Sequence, residues 1–126
     1  MERRLWIVWC WMWVALIVSW LVAASALAHH GWSQYDANRT LNLTGIIKDA
    51  SYSNPHGVLR LQVDGENGKT WVAVLAPPSR MSGRGLSQEM LKIGTTATVV
   101  GYPHRELVDE IRAERITIGG KTVELR

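Results

Sequence analysis

From Thr40 to the end of the chain, apolar and polar residues alternate in short runs, the period of a half-buried β-strand. The longest run, Thr40 to Tyr52, predicts a long first strand in which Gly45 marks a bend or bulge. Ser53-Asn54-Pro55-His56-Gly57 breaks the pattern with turn formers: proline fixes φ and asparagine favours local hydrogen bonds. Val58 to Val63 alternates again, Asp64 to Gly68 reads as a tight hairpin connection, and Thr70 to Leu75 is a third strand ended by Pro77-Pro78.

The period then changes. Between Ser79 and Leu91 the apolar residues Met81, Leu86, Met90 and Leu91 are spread among polar ones. Ser87 followed by Gln88 to Leu91 predicts a short helix capped by Ser87 and closed by Gly94, with Gly83 and Gly85 keeping the stretch before it loop-like. Thr95 to Tyr102 and Ile111 to Ile118 are the fourth and fifth strands, separated by a turn at Pro103 to Glu106. Gly119-Gly120 is a two-residue hairpin turn into a short last strand, Thr122 to Leu125. Three strands, a short helix and two more strands, the first strand long and bent, predict an all-β domain with one short helix: a five-stranded, OB-like Greek-key barrel over residues 40–126. A small β-sandwich with the helix as a plug is the alternative. Residues 29–39 form an irregular lead-in in which Trp32 and Tyr35 are the candidate anchors.

The first 28 residues follow a different rule. Glu2-Arg3-Arg4 is a short charged start, Leu5 to Val22 is an uncharged apolar run, and Ala26-Leu27-Ala28 ends in a small-x-small site. That is the plan of a secretory signal peptide, cleaved after Ala28 to leave His29 as the new N-terminus in the periplasm. The apolar run also reaches the lower end of the ~17–25 residues that span a bilayer. Trp6, Trp9, Trp11, Trp13 and Trp20 suit a membrane interface. The alternative is therefore an uncleaved anchor that holds the domain at the inner membrane through residues 5–22. Cys10, the one cysteine, lies inside this run, so a cleaved chain has neither disulfide nor thiolate chemistry.

Cleavage leaves 98 residues, one domain, with a net charge of +2 made of interspersed signs. No basic block argues for nucleic acid. No Ser-His-Asp grouping, nucleophile elbow or phosphate loop argues for an enzyme. Asp109 and Glu110 are adjacent and would face opposite sides of a strand, which makes them poor partners in acid–base work.

Histidines are the remaining candidate chemistry. The barrel brings the loop after the first strand, with His56, and the loop after the fourth, with His104, toward one region of the surface. Imidazole is the commonest ligand of zinc and copper. A free α-amine on His29, with His30 and His56, would supply a nitrogen donor set for copper or zinc; His104, beside Arg105-Glu106, is the weaker addition. The terminal amine and imidazole resemble the copper clamp of copper-dependent polysaccharide oxidases in that residue alone. The competing readings are a solvated tail for His29-His30, a turn residue for His56 and an exposed side chain for His104.

The chain also resembles a family of short exported bacterial proteins of unknown function. The resemblance rests on His29-His30 behind the signal site, Tyr35-Asp36, Leu43-Thr44-Gly45, the Asn54-Pro55-His56 turn, Trp71, and the stretch from Leu86 to Val99. His104 is not part of that pattern. The resemblance implies export and fold type and no chemistry. Two functions follow: a small periplasmic binding module, with a transition metal as one ligand, or a non-catalytic interaction domain that docks a partner protein or an envelope glycan.

Overall fold

A computed structural model of the chain describes residues 31–64 and 68–126. The apolar segment 5–22, the cleavage site after Ala28 and the His29-His30 pair lie outside the described residues. Among the described residues no helix is long and apolar enough to cross a membrane.

The unit from Gln34 to Arg126 contains every strand among the described residues. In chain order its elements are β1 (Leu41–Ser51), β2 (Val58–Val63), β3 (Thr70–Val74), α1 (Pro78–Gly83), a 3-10 helix (Gln88–Leu91), β4 (Thr96–Pro103), β5 (Glu110–Ile118) and β6 (Lys121–Glu124). The sheet order is β3-β2-β1-β4-β5-β6, and a parallel pairing of β3 with β5 closes the first five strands into a barrel. This is the OB-like Greek-key topology that the alternating pattern predicts. β6 is a hairpin extension of β5 through Gly119-Gly120, whose φ values of 57° and 75° suit a turn that needs two left-handed residues.

Two bulges keep the apolar side of the barrel facing inward. In β1, Ile47 pairs with Leu61 and Asp49 with Arg60, so Lys48 is the extra residue. The inward set can then step from Leu43 and Ile47 to Ala50 and Tyr52, an odd shift that an unbroken strand could not make. In β5, Val100 pairs with Arg115 and Gly101 with Ala113, so Glu114 is extra. Ile111 and Ala113 before it, and Ile116 and Ile118 after it, all reach the core. Gly45 is therefore not the bulge. It lies where β1 crosses β2 so closely that a Cβ would meet the carbonyl of Gln62.

The core is filled by Ile47, Leu59, Leu61, Val99, Ile111 and Ile116, all with no exposed surface, each contributing about 1.5–3 kcal/mol. Met81 and Leu86 are equally buried. They come from the connection between β3 and β4, where the helix lies earlier than the sequence suggests. The α-helix begins at Pro78, a residue preorganised for a first turn, and Gly83 and Gly85 end it rather than prevent it. Gln88 to Leu91 forms only a 3-10 turn, and Ser87 precedes it without a side-chain cap. Tyr52, at the start of the loop after β1, ties that loop to this connection, donating its hydroxyl to the carbonyl of Leu86 at 2.9 Å.

Candidate functional site

Ile111 and Ala113 face the core, so Glu110 and Arg112 share the outer face of β5. An outward arginine is normally solvated, yet Arg112 is only 6% exposed. Three separate segments meet around it. From the loop after β1, His56 places its Nδ1 at 3.4 Å from Arg112 Nη2. From the lead-in, Tyr35 donates its hydroxyl to Glu110 Oε1 at 2.6 Å. From α1, the charge of Arg80 acts on both His56 and Arg112.

The lead-in is held by the loop that joins β4 to β5. Tyr35 and His104 form an isolated antiparallel bridge. Asp36 N donates to Pro103 O at 2.9 Å, and Arg105 N to Gln34 O at 2.9 Å. The ring of Tyr35 meets that of His104 edge-on, with centroids 5.0 Å apart. Residues from 34 onward are therefore docked, and the irregular stretch of the lead-in is shorter than its composition suggests.

His104 itself supports the loop. Its Nδ1 accepts from the backbone N–H groups of Glu106 at 3.1 Å and Leu107 at 2.9 Å. The loop ends at Asp109, a non-glycine residue at φ 63°, whose side chain pairs with Lys69. Its carbonyl accepts from Val72 N at 2.8 Å. A left-handed residue held from both sides fixes where Glu110 begins.

The electrostatics of the group follow from burial and like charge. Burial, then Arg112, then Arg80 hold His56 below the ordinary histidine value of 6.5. Burial first, and Arg80 as a like charge, lower Arg112 from its usual range. Burial and the Glu110 carboxylate push the Tyr35 hydroxyl up, so it is a donor at any physiological pH. Arginine can only donate, so Nδ1 of His56 accepts from Arg112 and the ring proton sits on Nε2.

The histidines expected to share a site are thus placed differently. His56 and His104 come to one region but are linked through Tyr35, Glu110 and Arg112. His29 and His30 lie outside the described residues. Among the described residues no group of three His, Cys, Asp or Glu side chains is placed to hold a metal ion. Tyr35, Glu110 and Arg112 carry the arrangement, and only Tyr35 stands out in the sequence.

The shift on His56 has a measurable consequence. The unfolded chain takes up this proton near 6.5 and the folded chain does so less readily. The stabilisation is present above that value and is lost as the pH falls below it. Denaturant midpoints followed between about pH 7.5 and 5 should fall toward acid, and His56→Gln should flatten that part of the curve. An unchanged slope in the variant would show that His56 is not the responsible group.

A family model described as a family of unknown function (DUF6152) matches residues 16–110. No curated protein matches the chain. Among solved structures, a complex of TiaS with tRNA and ATP is similar at 18% identity and a TM-score of 0.48, covering 73% of this chain and 20% of that one. A ZRD-deleted mutant of TiaS in complex with agmatine is similar at 17% identity and a TM-score of 0.47, covering 72% of this chain and 25% of that one. The chain spans a quarter or less of the length of these structures, and a likeness this slight carries no inference about function.

Proposed function

Since the chain belongs to DUF6152, a family of unknown function, its role has to be read from its own residues, and we propose that it is an exported, non-catalytic binding module. Its ligand face is the outer surface of β5, between the docked lead-in and the loops that precede β2 and β5. The observation that carries this reading is Arg112: an outward-facing charge, 6% exposed, with His56 in contact and Glu110 beside it on the same face. Burying a guanidinium is costly, and buried, perturbed groups of this kind concentrate at functional sites. Export is supported by the charged start, the apolar run and Ala26-Leu27-Ala28. The periplasm is the proposed location, and the inner membrane the alternative if residues 5–22 are retained.

Copper or zinc is proposed as a ligand of His29 and His30, with the free amine that cleavage would create. His56 is the less favourable third donor, because its Nδ1 faces Arg112 and two guanidinium charges oppose an incoming cation. Calorimetry of the exported protein with Cu(II) and Zn(II) should give saturable binding near micromolar, roughly −8 kcal/mol. That binding should be lost in His29→Ala and kept in His56→Ala. The absence of saturable binding would end the metal reading.

A second reading, docking of a partner protein or an envelope glycan, is favoured by Leu107 and Val108, 54% and 81% exposed in the loop between β4 and β5. Native mass spectrometry of the protein from its host decides among these readings. A chain that starts at residue 29 establishes cleavage. A retained small molecule or ion supports the module, and a retained protein or glycan supports docking.

A further inference from the structure

We propose that the outer edge of β6 is a strand-pairing surface for a second copy of this chain, and that Arg84 holds it shut. Among the described residues β6 is the last strand of the sheet and pairs only with β5. In a two-residue hairpin the closing pair, here Ile118 and Lys121, exchanges main-chain hydrogen bonds. Alternate residues point their N–H and C=O groups the other way, so Thr122 and Glu124 turn theirs away from β5. Such a row is a template for another strand unless something covers it.

Side chains cover it. Arg84, just past the end of α1, donates Nη1 to Glu124 O at 2.9 Å and to Arg126 O at 2.7 Å. Lys121 returns the contact, donating Nζ to Gly85 O at 2.7 Å. Arg80 adds a longer bond, from Nη1 to Leu125 O at 3.3 Å. Arg80, Arg84 and Lys121 are all exposed. Holding a long cationic side chain in one conformation costs entropy, so such bonds are readily exchanged for main-chain ones. The backbone of Arg84 is fixed separately, its N–H donating to Arg80 O at 3.1 Å and Met81 O at 3.2 Å. Its side chain can therefore leave while α1 stays in place.

The residues of the edge favour a second copy as the occupant. Antiparallel pairing about a two-fold axis sets Thr122 opposite Glu124 of the second copy, and Val123 opposite Val123. Thr122 and Glu124 then exchange main-chain bonds in both copies, and every residue keeps the face it already has. No like charges are opposed. The Glu124 carbonyl that this pairing needs is the one Arg84 occupies, so the cap and the second copy compete for the same atom. At 4 residues the strand is short for a permanent interface, and the pairing stays weak even when opened.

The experiment is sedimentation equilibrium of the exported protein and its Arg84→Ala variant, from about 10 μM to about 1 mM. Loss of a hydrogen bond from a charged donor is expected to tighten self-association at least about tenfold over the parent. Hydrogen exchange at the Thr122 and Glu124 amides should slow in the variant as its concentration rises. Two exposed changes, made in the Arg84→Ala background, test the register. Thr122→Glu sets like charges across the two-fold axis and should weaken association, whereas Thr122→Lys meets Glu124 of the second copy and should strengthen it. An Arg84→Ala protein that associates no more tightly than the parent would overturn the proposal. So would association that is the same in both Thr122 variants, because the contact would then lie elsewhere on the molecule.

Discussion

Gly101→Ala should cost at least about 3 kcal/mol of folding stability, a large part of the 5–15 kcal/mol typical of a domain this size. A Cβ built on Gly101 would run into the carbonyl oxygen of Arg112, with Ala113 Cα 3.0 Å away. Both obstacles are backbone, so no side chain can turn aside. The contact lies beside the Glu114 bulge, where the register between β4 and β5 shifts. Separating them would also shift Arg112 from beneath His56. Gly45→Ala should behave similarly, because its Cβ would meet Gln62 O where β1 crosses β2. Gly83→Ala is the control: nothing lies within 4 Å of a Cβ there, at the end of α1. Losing a flexible residue from the unfolded chain should leave its stability unchanged or raise it by about 0.5 kcal/mol. Equilibrium denaturation of the three variants checks the order. A Gly101→Ala protein within about 1 kcal/mol of the parent would mean that the two strands do not approach as closely as described.

The same glycines show how much of the fold can be read in advance. Alternation places all six strands, because one wet and one dry side is a two-residue rule written directly into the chain. The phase of that alternation holds more than it first shows. The odd step from Ile47 to Ala50, and from Ala113 to Ile116, is the signature of the two bulges. Gly45 misleads because glycine marks both bulges and close crossings, and only the partner strand distinguishes them. The helix is displaced for a related reason. Pro78 opens α1, but Gly83 and Gly85 hide it, and one buried residue, Met81, is too little for a periodic pattern.

The site is less legible than the fold. The Asn54-Pro55-His56 turn points to His56, and Tyr35 reads as an anchor and is one. Arg112 gives no signal. In Ile111-Arg112-Ala113-Glu114-Arg115-Ile116 it looks like one more charge on a solvated face, and its burial depends on His56, 56 positions away in the chain, and on Tyr35, farther still. Glu110, weighed only against Asp109 as an acid–base partner, has its function in pairing with Tyr35, again across a long sequence separation. Burial that comes from loops packing onto an outer face leaves no period in the sequence.

Glu110→Ala should therefore destabilise the chain more than its half-exposed position suggests, by about 2 kcal/mol, between the loss of a charged hydrogen bond and the breaking of a buried pair. The change removes the acceptor of the buried Tyr35 hydroxyl and the negative charge beside Arg112 at once. Two further variants separate these parts. Tyr35→Phe removes the hydrogen bond and keeps the charge, and should cost about 1.5 kcal/mol. Glu110→Gln keeps an acceptor and removes the charge, and should fall between Tyr35→Phe and Glu110→Ala. Combining Tyr35→Phe with Glu110→Ala should cost less than the two alone, because both delete the same bond. Denaturant midpoints of the four proteins measure that coupling. Strict additivity would mean that the Tyr35 hydroxyl and the Glu110 carboxylate act independently, and that the lead-in is held by its other contacts to Pro103, His104 and Arg105.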